Sequence, residues 1–558
     1  MLADPAWILL LGALPVPLLR GRWRTVWMLA LPVVALVLLW TLPEGSAGTF
    51  EVFGLTLEPM RVDALGRVFA TVFLIAACLG LVYSLHEHRP MQQIATLAYA
   101  GAAVGGVLAG DLLTLFICWE LVGIASVVLV FARGTDRSFR AGQRYLVVQV
   151  LSGILLLAGI ALWVRDGHGL AFEYIGLDGF SGGLILFAVG IKAAFPVVHA
   201  WLPDIYPEAG VVGTVILSTF TTKFAIYVLA RGFADTELLV WVGAVMAVFP
   251  IFYALIENDL RRVLVYSLIN QLGFIVVGIG IGGELGVNGA VAHAFAHILY
   301  KSLLFMAMGA VLFRVGTIKG SELGGLYRSM PQTAVFCMIG AASTAAVPLF
   351  SGFATKSMIM DAAGQEHRLV LWLVLLLSSV GVLLHTGIKI PYIAFFGRDR
   401  GHRVAEAPIN MRVAMGLSAA ACLVIGIVPG LLYNILPFAV DYSPYTTAHV
   451  VNQLQLLIFA ALAFTVLIRT GRYPPELRSV NLDADVLYRK SAPYLWRTAL
   501  AGVAGIRAAL PRERVAVLRA KAARPLRPDG RFAELWSTGT TVWWLSIALG
   551  LVLLFSLL

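Results

Sequence analysis

Five lysines lie inside long apolar stretches of this sequence: Lys192, Lys223, Lys301, Lys356 and Lys389. The chain has eight lysines and 33 arginines, so arginine fills the hydrophilic connections and lysine the apolar runs. Arginine stays charged, whereas a desolvated lysine gives up its proton readily. A series of lysines in an apolar setting therefore suits proton transfer. Each costs roughly 2.5–3.5 kcal/mol at the centre of a membrane helix, and five exceed about 12 kcal/mol. That is comparable with the whole stability of a domain, ~5–15 kcal/mol. A buried ion pair is the structural alternative for four of them, and Lys389 can also reach an interface by snorkelling.

One acid is set equally deep. Glu120 follows Trp119 within the apolar run 112–132 and is the natural partner for a buried lysine, whereas Asp111 at the head of that run reads as interfacial. His293, His297 and Lys301 follow one another at intervals of four, which puts all three on one helix face. Histidine is the side chain that titrates nearest neutrality, so this face reads as a proton relay. Two histidines four apart also suit zinc, but a zinc site needs further ligands, and no Cys or carboxylate stands nearby in sequence. No metal and no cofactor is therefore expected. His199 and His385 are weaker candidates, for which packing or an interfacial place is an adequate explanation.

These residues must be held by membrane-spanning helices. Of 558 residues, 59% are hydrophobic and 13% charged, and the mean hydropathy is +0.87. Soluble domains run nearer 45–50% apolar and about 25% charged. A soluble enzyme, a disordered chain and a nucleic-acid-binding domain are excluded, and the net charge of +10 is no sign of a nucleic-acid partner. Cys78, Cys118, Cys337 and Cys422 all fall in apolar runs, as small buried hydrophobes do. No cleavable leader is expected, because the first apolar run ends in Arg20, Arg22 and Arg24 without a small-residue cleavage site.

A bilayer crossing takes about 20 apolar residues. Sixteen candidates lie near 4–19, 25–43, 64–85, 94–110, 112–132, 141–164, 180–200, 209–232, 236–256, 261–282, 286–313, 331–364, 369–397, 411–434, 449–468 and 539–558. With the N-terminus outside, the cytoplasmic connections carry 31 of the 41 basic residues and the outer ones five, as the positive-inside rule requires. The connection 469–538 holds 14 basic and six acidic residues, and its segment 497–524 reads either as a basic helix on the membrane surface or as a solvated linker.

Two apolar runs are interrupted beside a lysine. Pro196 follows Lys192, and Pro348 and Gly352 precede Lys356; Pro and Gly break helices. Lys192 and Lys356 are 164 residues apart, Lys223 and Lys389 are 166 apart. On that spacing spans four to eight repeat as nine to thirteen, with Glu120 opposite Asn270-Gln271. Five spans is an odd number, so the copies must be inverted, as in many transporters. The expected fold is an all-α polytopic membrane protein with about 14 core transmembrane helices, two inverted five-helix repeats containing broken helices, and a C-terminal extension. Its parts are N-terminal helices (1–93), first repeat (94–232), second repeat (236–398), C-terminal core helices (399–468), the basic connection (469–538) and a final span (539–558).

Several stretches carry a resemblance. They are Gly110-Asp111-Leu112-Leu113 through Trp119-Glu120, Lys192-Ala193-Ala194-Phe195-Pro196 through Trp201-Leu202-Pro203-Asp204, Thr221-Thr222-Lys223, Asp259-Leu260-Arg261-Arg262 through Tyr266-Ser267, His297 through Lys301-Ser302-Leu303-Leu304-Phe305, and Ser351-Gly352-Phe353 through Lys356. Over about residues 60–435 the chain resembles the antiporter-like proton-translocating subunits of respiratory complex I, membrane-bound hydrogenases and Mrp-type cation/proton antiporters. Tyr206-Pro207 and the Thr-Thr-Lys run look most like the D-type Mrp subunit. The basic connection and final span are similar in outline to the lateral extension of the largest complex I subunit of this kind. The chain departs from the family pattern at Glu208 to Gly213, where a Pro-containing stretch is usual.

The resemblance implies that Glu120 and Lys192 form the carboxylate–lysine pair of a first half-channel. It implies that Lys223 links the pair to a central relay of His293, His297 and Lys301, and that Lys356 is the terminal lysine. Lys389 follows from the internal repeat alone. The implied function is proton translocation in a multisubunit monovalent cation (Na+)/proton antiporter of a prokaryotic plasma membrane. Its partners would be other membrane subunits, protons, a monovalent cation and the lipid bilayer. The alternatives are a redox-driven pump of complex I or hydrogenase type and the membrane subunit of an inorganic-carbon uptake complex. A membrane enzyme lacks any nucleotide loop, haem pair or nucleophile motif here, and a scaffold would not need the lysines.

Overall fold

A computed structural model describes residues 4–502 apart from 53, 88, 474–480, 487, 488, 490, 492, 493, 495, 496, 499 and 500. The expected final span and most of the basic connection, including nearly all of 497–524, lie outside the described residues. The helices in chain order are α1 (Pro5–Gly12), α2 (Gly21–Thr41), α3 (Ala64–Ser84), α4 (Pro90–Val107), α5 (Leu112–Phe131), α6 (Asp136–Arg165), α7 (Gly179–Ala193), α8 (Trp201–Ile205), α9 (Val211–Leu217) and α10 (Thr221–Gly232). They continue with α11 (Glu237–Ile256), α12 (Leu260–Ile281), α13 (Gly283–Val315), α14 (Pro331–Thr344), α15 (Ser351–Gln365), α16 (Leu369–Val382), α17 (Lys389–Pro391), α18 (Ile409–Ile427), α19 (Gly430–Tyr433) and α20 (Thr447–Arg469). Eleven helical stretches among the described residues are long and apolar enough to cross a membrane; this is a multi-pass membrane protein. Short antiparallel pairings, Gly45–Ala47 with Met60–Val62 and Phe50–Val52 with Leu55–Leu57, interrupt an otherwise helical chain.

The first candidate span is corrected. Residues 4–19 form only the eight-residue α1, about 12 Å long, followed by turns. Pro15 and Pro17 lack the N–H that a continuing helix needs, and the free Gly12 carbonyl accepts instead from Trp27 Nε1 at 2.8 Å.

Helix α13 is the axis of the molecule. Its 33 residues span about 50 Å, and every residue from Gly286 to Val311 is buried. It packs on α3, α9, α10, α12, α14, α15 and α18. Beside it α12 is almost wholly buried, and its backbone comes against that of α11. A Cβ at Gly273 would lie 2.4 Å from the Ala247 nitrogen, and one at Gly243 2.6 Å from the Val277 nitrogen. Small residues let membrane helices approach this closely.

The two expected breaks have the same backbone. After α7, Ala194 and Val197 adopt φ of 63° and 74°; after α14, Ala346 and Leu349 adopt 56° and 74°. The Phe195 N–H donates to the Gly190 carbonyl at 2.9 Å, and the Val347 N–H to the Ala342 carbonyl at 3.0 Å. Pro196 and Pro348 stand between the left-handed residues in both copies. These matched positions are 152 residues apart, not 164. Lys192 therefore ends the helix before its break, while Lys356 lies in the helix after the equivalent break. Two further spans are irregular. Residues 209–232 divide into α9 and α10, and α16 continues through two stretches of wider, π-type turns at Leu383–Ile388 and Tyr392–Phe396.

Candidate functional site

Glu120 lies on α5 facing α6, where Gly153 makes room for it: a Cβ there would fall 1.4 Å from Glu120 Oε1. That oxygen is buried and has no hydrogen-bond partner among the described residues. Lys192, at the end of α7, is fully buried. Its Nζ donates to the Trp119 carbonyl at 2.6 Å and lies 4.3 Å from the centroid of the Trp119 ring. No direct ion pair joins Lys192 to Glu120 among the described residues. Lys192 is instead bonded to the carbonyl of the residue that precedes Glu120. Trp119 is fixed in turn by its Nε1–H to Ser152 Oγ at 3.1 Å, and Ser152 donates to the Ala188 carbonyl at 2.8 Å.

Lys223 lies three residues into α10, and its Nζ donates to the Ser218 carbonyl at 2.5 Å. That carbonyl belongs to the break between α9 and α10, where backbone acceptors lack intrahelical partners. The lysine thus depends on the break for this hydrogen bond.

The next groups share one face of α13. His297 is fully buried, and neither ring nitrogen has a hydrogen-bond partner among the described residues. Its ring centroid lies 6.3 Å from that of His293 and 5.4 Å from that of Tyr300. His293 is held on both edges. Nδ1 faces the Thr355 hydroxyl at 2.9 Å, and Nε2 faces Gln271 Oε1 at 3.1 Å and the Tyr300 hydroxyl at 3.3 Å. Thr355 ties this histidine to α15, the helix of Lys356.

Lys301 Nζ donates to Ser267 Oγ at 2.5 Å, Thr386 Oγ1 donates to the same oxygen at 2.7 Å, and His385 Nδ1 faces Thr386 Oγ1 at 2.7 Å. A run of four hydrogen-bonding side chains therefore leads from α13 across α12 to the wide turns after α16. Ser267 and Thr386 were not singled out from sequence, since buried hydroxyls are ordinary in helices. The signal available was the polar pair His385-Thr386 inside an apolar run.

Lys356 Nζ has no hydrogen-bond partner among the described residues and lies 4.0 Å from the Phe274 ring centroid. Lys356 lines a cavity of about 830 Å³ together with Ser357, Asp361, Asp441 and His449. Lys389 stands apart from this line. Its Nζ donates to the carbonyls of Ala254, Leu255 and Glu257 at 3.1, 2.8 and 2.9 Å, which caps the C-terminal end of α11. His199, in the turn after the α7 break, pairs with Asp483 at 3.0 Å. Among the described residues no group of three or more His, Cys, Asp or Glu side chains is placed to hold a metal ion.

Helices broken beside buried lysines, in two matching copies around a histidine-bearing axis, define an antiporter-like membrane subunit. Residues 109–382 match the family described as NADH:quinone oxidoreductase/Mrp antiporter, transmembrane region. That match covers just under half of the chain, which is similar to the family over those residues. Hydrogenase-4 component B of Escherichia coli is 27% identical over 435 residues, 69% of this chain and 64% of the relative. Na(+)/H(+) antiporter subunit A1 of Staphylococcus aureus is 26% identical over 488 residues, 76% of this chain and 61% of the relative. The chain thus spans about three fifths of the length of these curated relatives. The solved structure of the Mrp complex from Dietzia sp. DQ12-45-1b superposes with a TM-score of 0.76 at 24% identity, over 94% of this chain and 62% of the matched one. That likeness shows the fold, seen there in a subunit of a multisubunit membrane complex.

Proposed function

We propose that this chain is the proton-translocating subunit of a multisubunit Na+/proton antiporter in a prokaryotic plasma membrane. Protons would pass along Glu120, Lys192, Lys223, His297, His293, Lys301 and Lys356, with water joining the groups that do not touch. The observation that carries this reading is the row of buried titratable side chains left short of partners. Among the described residues, Glu120 Oε1, both nitrogens of His297 and Lys356 Nζ have none. A buried polar atom without a partner costs about 1–3 kcal/mol, an expense that a packing role does not explain and a transferable proton does.

The chemistry follows from the break at α7. A carboxylate close to an ammonium holds its proton in place, and withdrawing the carboxylate frees that proton to move on. Glu120 and Lys192 are near but unpaired, so a small shift of α5 or α7 changes their separation. His293, with a hydrogen-bonding group at each ring nitrogen, can receive a proton on one edge as it releases one from the other. The cavity beside Lys356 gives the last lysine access to water. A second cation would use a site on a partner subunit.

The Escherichia coli relative supports a second reading, a pump driven by a redox partner in place of a cation gradient. Inside-out vesicles bearing the assembled complex separate the two. Dissipation of an imposed pH gradient on adding Na+ supports antiport, while acidification that requires an electron donor supports the redox pump. In either case Lys192→Met should reduce proton movement at least about 10-fold, and full retention would sink the proposed pathway.

A further inference from the structure

The segment after α20 returns to the core and places an acid against the α7 break. Asp483 Oδ1 faces His199 Nε2 at 3.0 Å, and its Oδ2 accepts from the Tyr266 hydroxyl at 2.7 Å. The Asp483 side chain is 7% exposed and that of His199 5%, while the Asp483 residue as a whole reaches the boundary with solvent. Tyr266 is on α12, one residue before the Ser267 that accepts from Lys301. The other edge of the histidine, Nδ1, is buried with no hydrogen-bond partner among the described residues, and its ring packs on Phe249 at 4.6 Å between centroids.

The segment has separate anchors on either side. Arg489 donates to Asp204, which also accepts from Arg144 Nε at 2.8 Å and Nη2 at 3.0 Å. Asn481 Nδ2 donates to Glu257 Oε2 at 3.3 Å. Asp485 pairs with Arg489 at 3.2 Å, and Arg262 lies 4.0 Å from Glu257. These contacts suffice to tether the segment. A tether does not require an acid buried on a histidine whose far nitrogen is left unsatisfied.

We infer that Asp483 is a proton-collecting acid, supplied by the chain's own C-terminal segment from outside the family-matched residues 109–382. It gives its proton to His199 Nε2 as Nδ1 releases one towards the buried relay; one proton enters the imidazole and one leaves. The inference rests on the proton pathway proposed above and adds the group that loads it. Burial opposes the charge on Asp483, and the hydrogen bonds from His199, Tyr266 and the Ala484 N–H outweigh it, which holds the carboxyl below its ordinary value. The acid therefore stands ionised opposite the Nε2–H of His199, which is the state left after a transfer, and the imidazole returns to its Nδ1–H form before the next one.

The test compares Asp483→Asn, Asp483→Glu and Lys192→Met in the full chain. Proton movement is measured in inside-out vesicles and normalised to assembled complex on native gels. Asp483→Asn should lose at least about 10-fold of the rate and Asp483→Glu should retain most of it. Millimolar formate or azide, small acids able to carry the missing proton, should restore the Asn variant; a lost strut would not respond to them. Full activity in Asp483→Asn beside a defective Lys192→Met overturns this inference alone. Full activity in both overturns the pathway it rests on. Where the Asn variant assembles poorly, Asp483→Ser is measured in its place, and failure of formate to raise its rate overturns the inference.

Discussion

The energetics of individual side chains separate transport from support. Gly153 is the clearest case: any Cβ there strikes the free end of Glu120, which can swing away at little cost to the fold. Gly153→Ala should leave assembly intact and lower proton movement several-fold, read in vesicles normalised to complex. Lys389 is the opposite case. Its three carbonyl bonds close the end of α11, and Lys389→Met leaves those acceptors unpaired. Stability in detergent should fall by about 1–3 kcal/mol, while the rate per assembled molecule stays. Loss of transport in a stable Lys389→Met protein would return this lysine to the relay. Sequence singled out Glu120, Lys192, Lys223, His293, His297, Lys301 and Lys356 because a charge or imidazole in an apolar run is costly and conspicuous. It added Lys389 as a possible member through the internal repeat, and spacing alone does not distinguish a relay from a cap. Ser267 and Thr386 carry no such mark, and only their placement between Lys301 and His385 reveals them.

At the scale of elements, the two broken helices show what spacing can and cannot give. Proline and glycine beside lysine announced both breaks. The spacing of the lysines suggested a repeat of 164 residues, whereas the left-handed residues repeat at 152. Residue types matched across the repeat, but backbone turns set its register, and a left-handed alanine leaves no trace in hydropathy. The matched geometry predicts matched energetics. A β-branched side chain is poorly accommodated at positive φ, so Ala194→Val and Ala346→Val should each destabilise the protein by roughly 1–2 kcal/mol, as followed by thermal unfolding in detergent. A large loss at one position with none at the other would show that the two breaks are not equivalent. The wide turns around Lys389 were equally illegible, since π-type hydrogen bonding follows from packing. The failure of residues 4–19 to span was legible in principle: Pro15 and Pro17 sit where the helix stops.

For the whole molecule, hydropathy alone established a multi-pass helical protein, because backbone in lipid has few alternatives to a helix. Hydropathy did not reveal that α13 would be the buried axis, or that Asn481, Asp483 and Arg489 would contact the core, since both depend on which elements neighbour which. The proposed pathway requires the buried lysines to give up protons and not merely to be charged. Lys356 allows the most direct measurement, because the cavity of about 830 Å³ beside it leaves room for a larger head group. Arginine keeps the positive charge and does not release its proton. Proton movement in inside-out vesicles carrying Lys356→Arg, at equal amounts of assembled complex, should fall at least about 10-fold. Retention of the full rate would contradict the account, because a fixed charge would then suffice where a transferable proton is required.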